Sequence, residues 1–142
     1  MTTPDLAYRA LALQTACHAV NKCPDTASAR ARMAASIERI GRQVRAAKGF
    51  LGQDVRLVVL PEYFLTGYPL GESLPAWAEK AALAPDGPEY EALARIAQDN
   101  AVHLSGNAYE TDGAFPGLYF QASFVIDPSG TTVLRYRRLV SM

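Results

Sequence analysis

Val55-Arg56-Leu57-Val58-Val59-Leu60, followed directly by Pro61 and Glu62, is the stretch that decides the fold. Its six residues are almost continuously apolar and β-branched, the pattern of a strand covered on both faces in an α/β sheet. Such a strand is central. Pro61 ends its ladder, so Glu62 emerges at the carboxyl end, where open α/β sheets place their ligand sites. Upstream, residues 8–14 are short and apolar without a helical stripe and predict a first strand. Between these two strands Met33, Ile37, Ile40 and Val44 recur at the spacing of one helix face. Asp25 or Thr26 can cap that helix, and Gly49 can end it. Its other face carries Arg30, Arg32, Arg39, Arg42, Arg45 and Lys48, read here as a solvated face in preference to a nucleic-acid surface.

Downstream of Glu62, residues 63–75 are rich in Gly, Pro and aromatic side chains and predict a loop. Helices are expected around residues 77–83 and 90–100, and strands at 102–109, 119–126 and 132–138. Asp127-Pro128-Ser129-Gly130 supplies a tight turn that makes the last two strands an antiparallel hairpin. The order of elements predicts an α/β fold with a mixed β-sheet and helices on one face. The final strands are apolar enough to need cover on the other face as well. A partner subunit, as in a homo-oligomer, or the remainder of a longer domain is therefore expected there.

The 142 residues, 49% hydrophobic and 20% charged, fit one soluble domain. Fourteen basic and fourteen acidic side chains give no net charge, so neither general nucleic-acid binding nor membrane binding is expected. Residues 51–112, which hold Glu62, are the acidic part, with ten acidic and three basic side chains. No run approaches the roughly 18 apolar residues of a membrane span. The first residues lack the pattern of a secretory signal, and a cytoplasmic location is the expectation. Cys17 and Cys23 are too few for a disulfide framework and match no zinc spacing, which leaves them as reduced thiols. Serine-elbow, phosphate-loop and dinucleotide motifs are all missing. Cys17 and His18 are neighbours, but in an extended segment they point to opposite faces and cannot act together. His103, at the start of an apolar strand, is read as structural.

Glu62 is followed by Tyr63, Phe64 and Tyr68, side chains that can wall a partly apolar pocket and bind substrate. Desolvation there would raise the affinity of the carboxylate for a proton and make it a general base. A solvated loop glutamate with core-packing aromatics is the alternative. A third reading makes Glu62 a Mg²⁺ ligand of a metal-dependent phosphoesterase, with Asn21, Asn107 and Asp127 as the best further ligands.

The run Leu60-Pro61-Glu62-Tyr63-Phe64-Leu65-Thr66-Gly67-Tyr68-Pro69 resembles the segment bearing the catalytic glutamate of the nitrilase superfamily, the carbon-nitrogen hydrolases. Leu11-Ala12-Leu13-Gln14 is similar to that family's first strand. Residues 119–130 are similar to its hairpin, and Leu134-Arg135-Tyr136-Arg137-Arg138 resembles the strand bearing its catalytic lysine. The resemblance implies that residues 1–142 are the amino-terminal part of one carbon-nitrogen hydrolase domain, the first half of a nitrilase-like αββα sandwich. It also implies hydrolysis of a small-molecule amide or nitrile by a glutamate, a lysine and a cysteine, without metal or organic cofactor. Glu62 takes the place of the glutamate. Arg138 stands where the family has lysine, on the strand face shared with Leu134 and Tyr136. The nucleophilic cysteine falls beyond residue 142, and neither Cys17 nor Cys23 replaces it by position. A half domain is not expected to catalyse alone, and a non-catalytic, degenerate unit serving binding or assembly is the competing expectation.

Overall fold

The computed structural model describes residues 7–138. Five strands, β1 (Arg9–Ala12), β2 (Val55–Val59), β3 (His103–Thr111), β4 (Tyr119–Ile126) and β5 (Thr132–Arg137), lie side by side in chain order. β1, β2 and β3 are parallel, whereas β4 and β5 each run antiparallel to the strand before. The three helices are α1 (Thr26–Leu51), α2 (Leu74–Ala81) and α3 (Pro88–Asn100). The result is the mixed α/β sheet that the order of elements predicts.

α1 forms where its apolar stripe says it should, burying Met33, Ile37, Ile40 and Val44. Asp25 caps it by accepting the Ser28 N–H at 2.7 Å. The helix runs past Gly49 to Leu51, and the Gly52 N–H closes it on the Lys48 carbonyl at 3.0 Å. Its basic face is not simply solvated. Arg32 donates to the Ala19 carbonyl at 3.0 Å and Arg39 to that of Ala16 at 2.8 Å. Arg30 pairs with Glu89 at 3.3 Å and donates to the Ala82 carbonyl at 2.6 Å. Lys48 is buried and donates to the Asn100 carbonyl, one of those left open where α3 ends. Long cationic side chains lay their stems along a helix and deliver charge to carbonyls that nothing else satisfies. α2 begins at Leu74, earlier than periodicity indicates, because Ser73 accepts the Ala76 N–H and Pro75 sits in the first turn. A proline there loses no hydrogen bond, and Pro88 opens α3 for the same reason.

One face of the sheet is covered by helices and holds the core. Val58, Leu104, Ala108, Ala122, Phe124 and Ile126 are buried there. Gly106 belongs to the same row, opposite Phe124. A Cβ at Gly106 would lie 2.6 Å from Phe124 Cζ and 3.0 Å from Phe64 Cε1, so the missing side chain is what admits the two rings. The other face has little helix cover among the described residues, α2 reaching it at Tyr109, whose ring meets Trp77 edge on with centres 5.8 Å apart. Val59, Leu134 and Tyr136 on that face remain 40%, 48% and 57% exposed.

A buried charge fixes the last strand. Glu110 is fully buried on the helix side, accepts the Tyr90 hydroxyl and pairs with Arg135 Nε at 3.1 Å. Burial and the Glu110 carboxylate push the Tyr90 phenol up, so it stays a donor. Arg137 repeats the arrangement with Asp112 at 2.6 Å, its guanidinium 4.4 Å from the Phe120 ring centre. Both arginines belong to β5 and both acidic partners to β3 or its end, so the pairs reach across β4 and set the register of β5.

Gly106→Ala should lower the unfolding free energy by about 1–3 kcal/mol, because the new methyl group has no room between two rings. Gly113→Ala, with nothing within 4 Å of the added carbon, should be neutral. Urea denaturation of the two variants checks both expectations.

Candidate active site

Because β2, β3 and β5 run in one direction, their carboxyl ends and the start of β4 meet at one edge of the sheet. Glu62 leaves the end of β2 at that edge. Its Oε2 accepts the Tyr68 hydroxyl at 3.0 Å, and its Oε1 accepts Gln121 Nε2 of β4 at 3.0 Å. Arg138, just beyond β5, places Nη1 3.9 Å from Glu62 Oε1 and donates to Gln121 Oε1 at 2.9 Å. The Arg138 N–H also binds the Gln121 carbonyl at 2.9 Å. Glu62, Gln121 and Arg138 line two adjoining depressions. The larger, about 550 Å³, is walled by Tyr63, Tyr68, Tyr109 and Tyr119. The smaller, about 230 Å³, is lined by Asn107, Ser123 and Tyr136.

The backbone behind Glu62 is held from three sides. Tyr63 adopts φ 49°, an uncommon left-handed geometry that costs energy outside glycine and persists only where its surroundings enforce it. The Tyr63 carbonyl accepts from Cys17 Sγ at 3.3 Å, Thr66 N at 3.2 Å and Gly67 N at 3.0 Å. Asn21 Nδ2 donates to the Tyr68 carbonyl at 2.7 Å. Gly67, at φ 71°, lies against Ala19, where a Cβ would come within 2.8 Å of another. Residues 16–21 thus brace the glutamate loop, and they in turn are held by Arg32 and Arg39 of α1.

The tyrosines form one cluster. Tyr63 and Tyr109 stack with ring centres 4.5 Å apart, and Tyr68 and Tyr119 meet them edge on. Burial pushes the phenols of Tyr63, Tyr109 and Tyr119 up, and the hydrogen bond to Glu62 does so for Tyr68. All four are neutral donors at ordinary pH. Arg138 and Glu62 are therefore the only charged groups lining the cleft among the described residues.

The residues singled out from sequence are placed unequally. Glu62, Arg138, Tyr63 and Tyr68 come together in the cleft. Phe64 does not, for its ring is 1% exposed and packs into the core against Gly106. The burial expected around the Glu62 carboxylate is only partial, since the side chain is 49% exposed to solvent among the described residues. Of the further ligands weighed for a metal, Asn107 reaches the smaller depression, whereas Asn21 holds backbone and Asp127 is engaged in its own turn with Ser129 and Thr131. No group of three or more His, Cys, Asp or Glu side chains converges among the described residues. The charged neighbour of Glu62 is a cation. Burial pushes the Cys17 thiol up, against the lowering effects of the Gly67 amide and Arg39, so Cys17 serves as a donor to backbone. Gln121, Tyr109 and Tyr119 escaped the sequence reading. Strand alternation puts Tyr119, Gln121 and Ser123 on one face, but only the cross-strand register tells that this face meets Glu62.

The mixed five-strand sheet with its helices agrees with what the chain matches. The family model for carbon-nitrogen hydrolases matches residues 8–140, and the chain belongs to that family. Among solved structures, Saccharomyces cerevisiae Nit3, a member of branch 10 of the nitrilase superfamily, superposes with a TM-score of 0.64 at 21% identity. The match covers 77% of this chain and 40% of Nit3. A carbon-nitrogen hydrolase from Helicobacter pylori gives 0.62 at 20% identity, over 94% of this chain and 40% of the other. An amidase from Nesterenkonia gives 0.62 at 14% identity, over 94% and 43%. At these identities the likeness is one of fold. The chain spans about two fifths of the length of these three structures. Comparison with curated protein sequences gave no match.

Phe64→Ala should cost about 3–5 kcal/mol of folding stability, the usual figure for emptying a buried aromatic site. Tyr68→Phe, which removes one half-exposed hydroxyl, should cost less than about 1 kcal/mol. Thermal or urea denaturation of both variants checks the assignment of Phe64 to the core and Tyr68 to the rim.

Proposed function

We propose that this chain supplies the general base and the oxyanion-binding cation of a hydrolase acting on non-peptide carbon-nitrogen bonds of a small amide or nitrile. The observation that carries the reading is Glu62, projected from the end of β2 into a cleft whose one cation among the described residues is Arg138, within a chain of the carbon-nitrogen hydrolase family. On this reading a cysteine outside residues 1–142 is the nucleophile. Glu62 takes the thiol proton as sulfur attacks the amide carbon, then returns it to the departing nitrogen as the carbon-nitrogen bond breaks. Water next attacks the thioester, giving its proton to Glu62 and regenerating the thiol. Arg138 stabilises the negative oxygen of each tetrahedral intermediate by fixed charge and hydrogen bonding, because a guanidinium keeps its protons in proteins. Tyr63 and Tyr68 stand beside Glu62 as substrate-contacting walls.

One observation favours a second reading. Arg138 stands where the resemblance places a lysine, and a site so altered suits a non-catalytic unit that binds or assembles. Kinetics of the protein that carries this chain together with its nucleophile separate the two. Glu62→Gln should keep the fold and abolish ammonia release, since an amide cannot accept the proton. Arg138→Met should cost about 3 kcal/mol or more of transition-state stabilisation, and Arg138→Lys should retain activity. Undiminished turnover by Glu62→Gln would remove the base, equal wild-type-like kcat/KM for both Arg138 variants would remove Arg138 from the site, and a wild-type protein that releases no ammonia from any amide or nitrile would favour the non-catalytic unit.

The sheet face with little helix cover supports a proposal about association. Exposed Val59, Leu134 and Tyr136 make it a contact surface for the remainder of the domain or for another subunit. The isolated 142-residue chain should therefore self-associate at micromolar concentration, and sedimentation as a well-folded monomer would contradict this.

A further inference from the structure

Glu62 and Arg138 approach to 3.9 Å without closing into a two-pronged ion pair, and one side chain stands between them. Gln121 donates from Nε2 to Glu62 Oε1 at 3.0 Å and accepts at Oε1 from Arg138 Nη1 at 2.9 Å. The orientation of its amide follows from chemistry, because a carboxylate only accepts and a guanidinium only donates. An arginine and a carboxylate free to meet form paired, charge-assisted hydrogen bonds, which would occupy the acceptor that a base needs and the donors that an oxyanion needs. Here a neutral dipole of fitting polarity fills the gap instead. Gln121 is itself well placed to keep that distance, since its backbone carbonyl holds the Arg138 N–H at 2.9 Å and ties both groups to one residue of β4.

We propose that Gln121 is a positioning residue that keeps the carboxylate of Glu62 and the guanidinium of Arg138 apart, so that each can be used separately. The proposal rests on Glu62 and Arg138 being the working pair of the hydrolase described above. The titratable groups lining the cleft with Glu62 are Tyr63 and Tyr68 of its own loop, Tyr109 of β3, Tyr119 of β4, Tyr136 of β5 and Arg138 after β5. Among these described groups Arg138 alone carries a charge, so its distance from Glu62 is what Gln121 governs.

The test follows the Glu62 side-chain carboxyl by ¹³C NMR through a pH titration of the protein that carries this chain. In Gln121→Leu the amide is gone, Arg138 closes on Glu62, and the midpoint should fall by about one unit, as for a carboxylate gaining an adjacent arginine. Gln121→Leu combined with Arg138→Met should cancel that fall, which a merely structural role for Gln121 would not do. Gln121→Glu, a variant that keeps a polar side chain in the cleft, should raise the midpoint by placing a like charge beside Glu62. In turnover, Gln121→Leu should lower kcat by about tenfold or more with little change in KM, and move the acid limb of kcat/KM to lower pH. A midpoint unmoved in both the Leu and Glu variants would overturn the proposal. The hydrolase reading fails separately. If Glu62→Gln keeps full turnover while the Glu62 midpoint still responds to Gln121, the base assignment falls and the spacing role of Gln121 stands without its catalytic purpose.

Discussion

Burial of Phe64 beneath Gly106 is the constraint from which the rest of the site follows. A carboxylate half open to solvent can work as a base only if the backbone carrying it is still, and a surface loop supplies no such stillness by itself. Two residues beyond Glu62 the chain plunges into the core, where the Phe64 ring occupies space that any side chain at position 106 would take. That plunge requires the left-handed turn at Tyr63, whose carbonyl then collects three donors. The strain of the turn is thus offset by burial on one side and hydrogen bonding on the other.

The cleft is electrostatically sparse. Among the described residues one carboxylate and one guanidinium face each other within a wall of neutral phenols, and Arg135 and Arg137 of β5 are turned to the opposite side of the sheet. Arg138 keeps its proton throughout, because a guanidinium does not give one up in proteins. Neutral Tyr68 donates to the carboxylate without competing for its charge.

Much of this was legible in the sequence because it depends on local rules. The strand ending at Pro61, the apolar stripe of α1, the hairpin turn at Asp127 and the alternation that puts Arg138 with Tyr136 are properties of neighbours in the chain. What escaped reading depends on register and on distant partners. Phe64 and Tyr68 are both aromatic and lie four residues apart, yet one is core and the other rim, and only the gap at Gly106 decides between them. Gln121 belongs to the site through cross-strand pairing. The basic face of α1 looked solvated because the carbonyls it satisfies lie in loops whose paths no periodicity predicts.

The buried carboxylate of Glu110 has a consequence for how errors in this fold would be detected. The segment from Arg135 to Arg138 holds three arginines in four positions, so its composition alone tolerates a slip of one residue. A slipped strand would carry Arg135 and Arg137 to the cleft side and leave Glu110 as an unpaired charge in the core, an expensive state. Glu110 therefore acts as a proofreader, penalising a misthreaded strand from the far side of the sheet. Sequence drift at Glu110 or Arg135 would be registered at the cleft as a wrong cation in the wrong place, although neither side chain lines it.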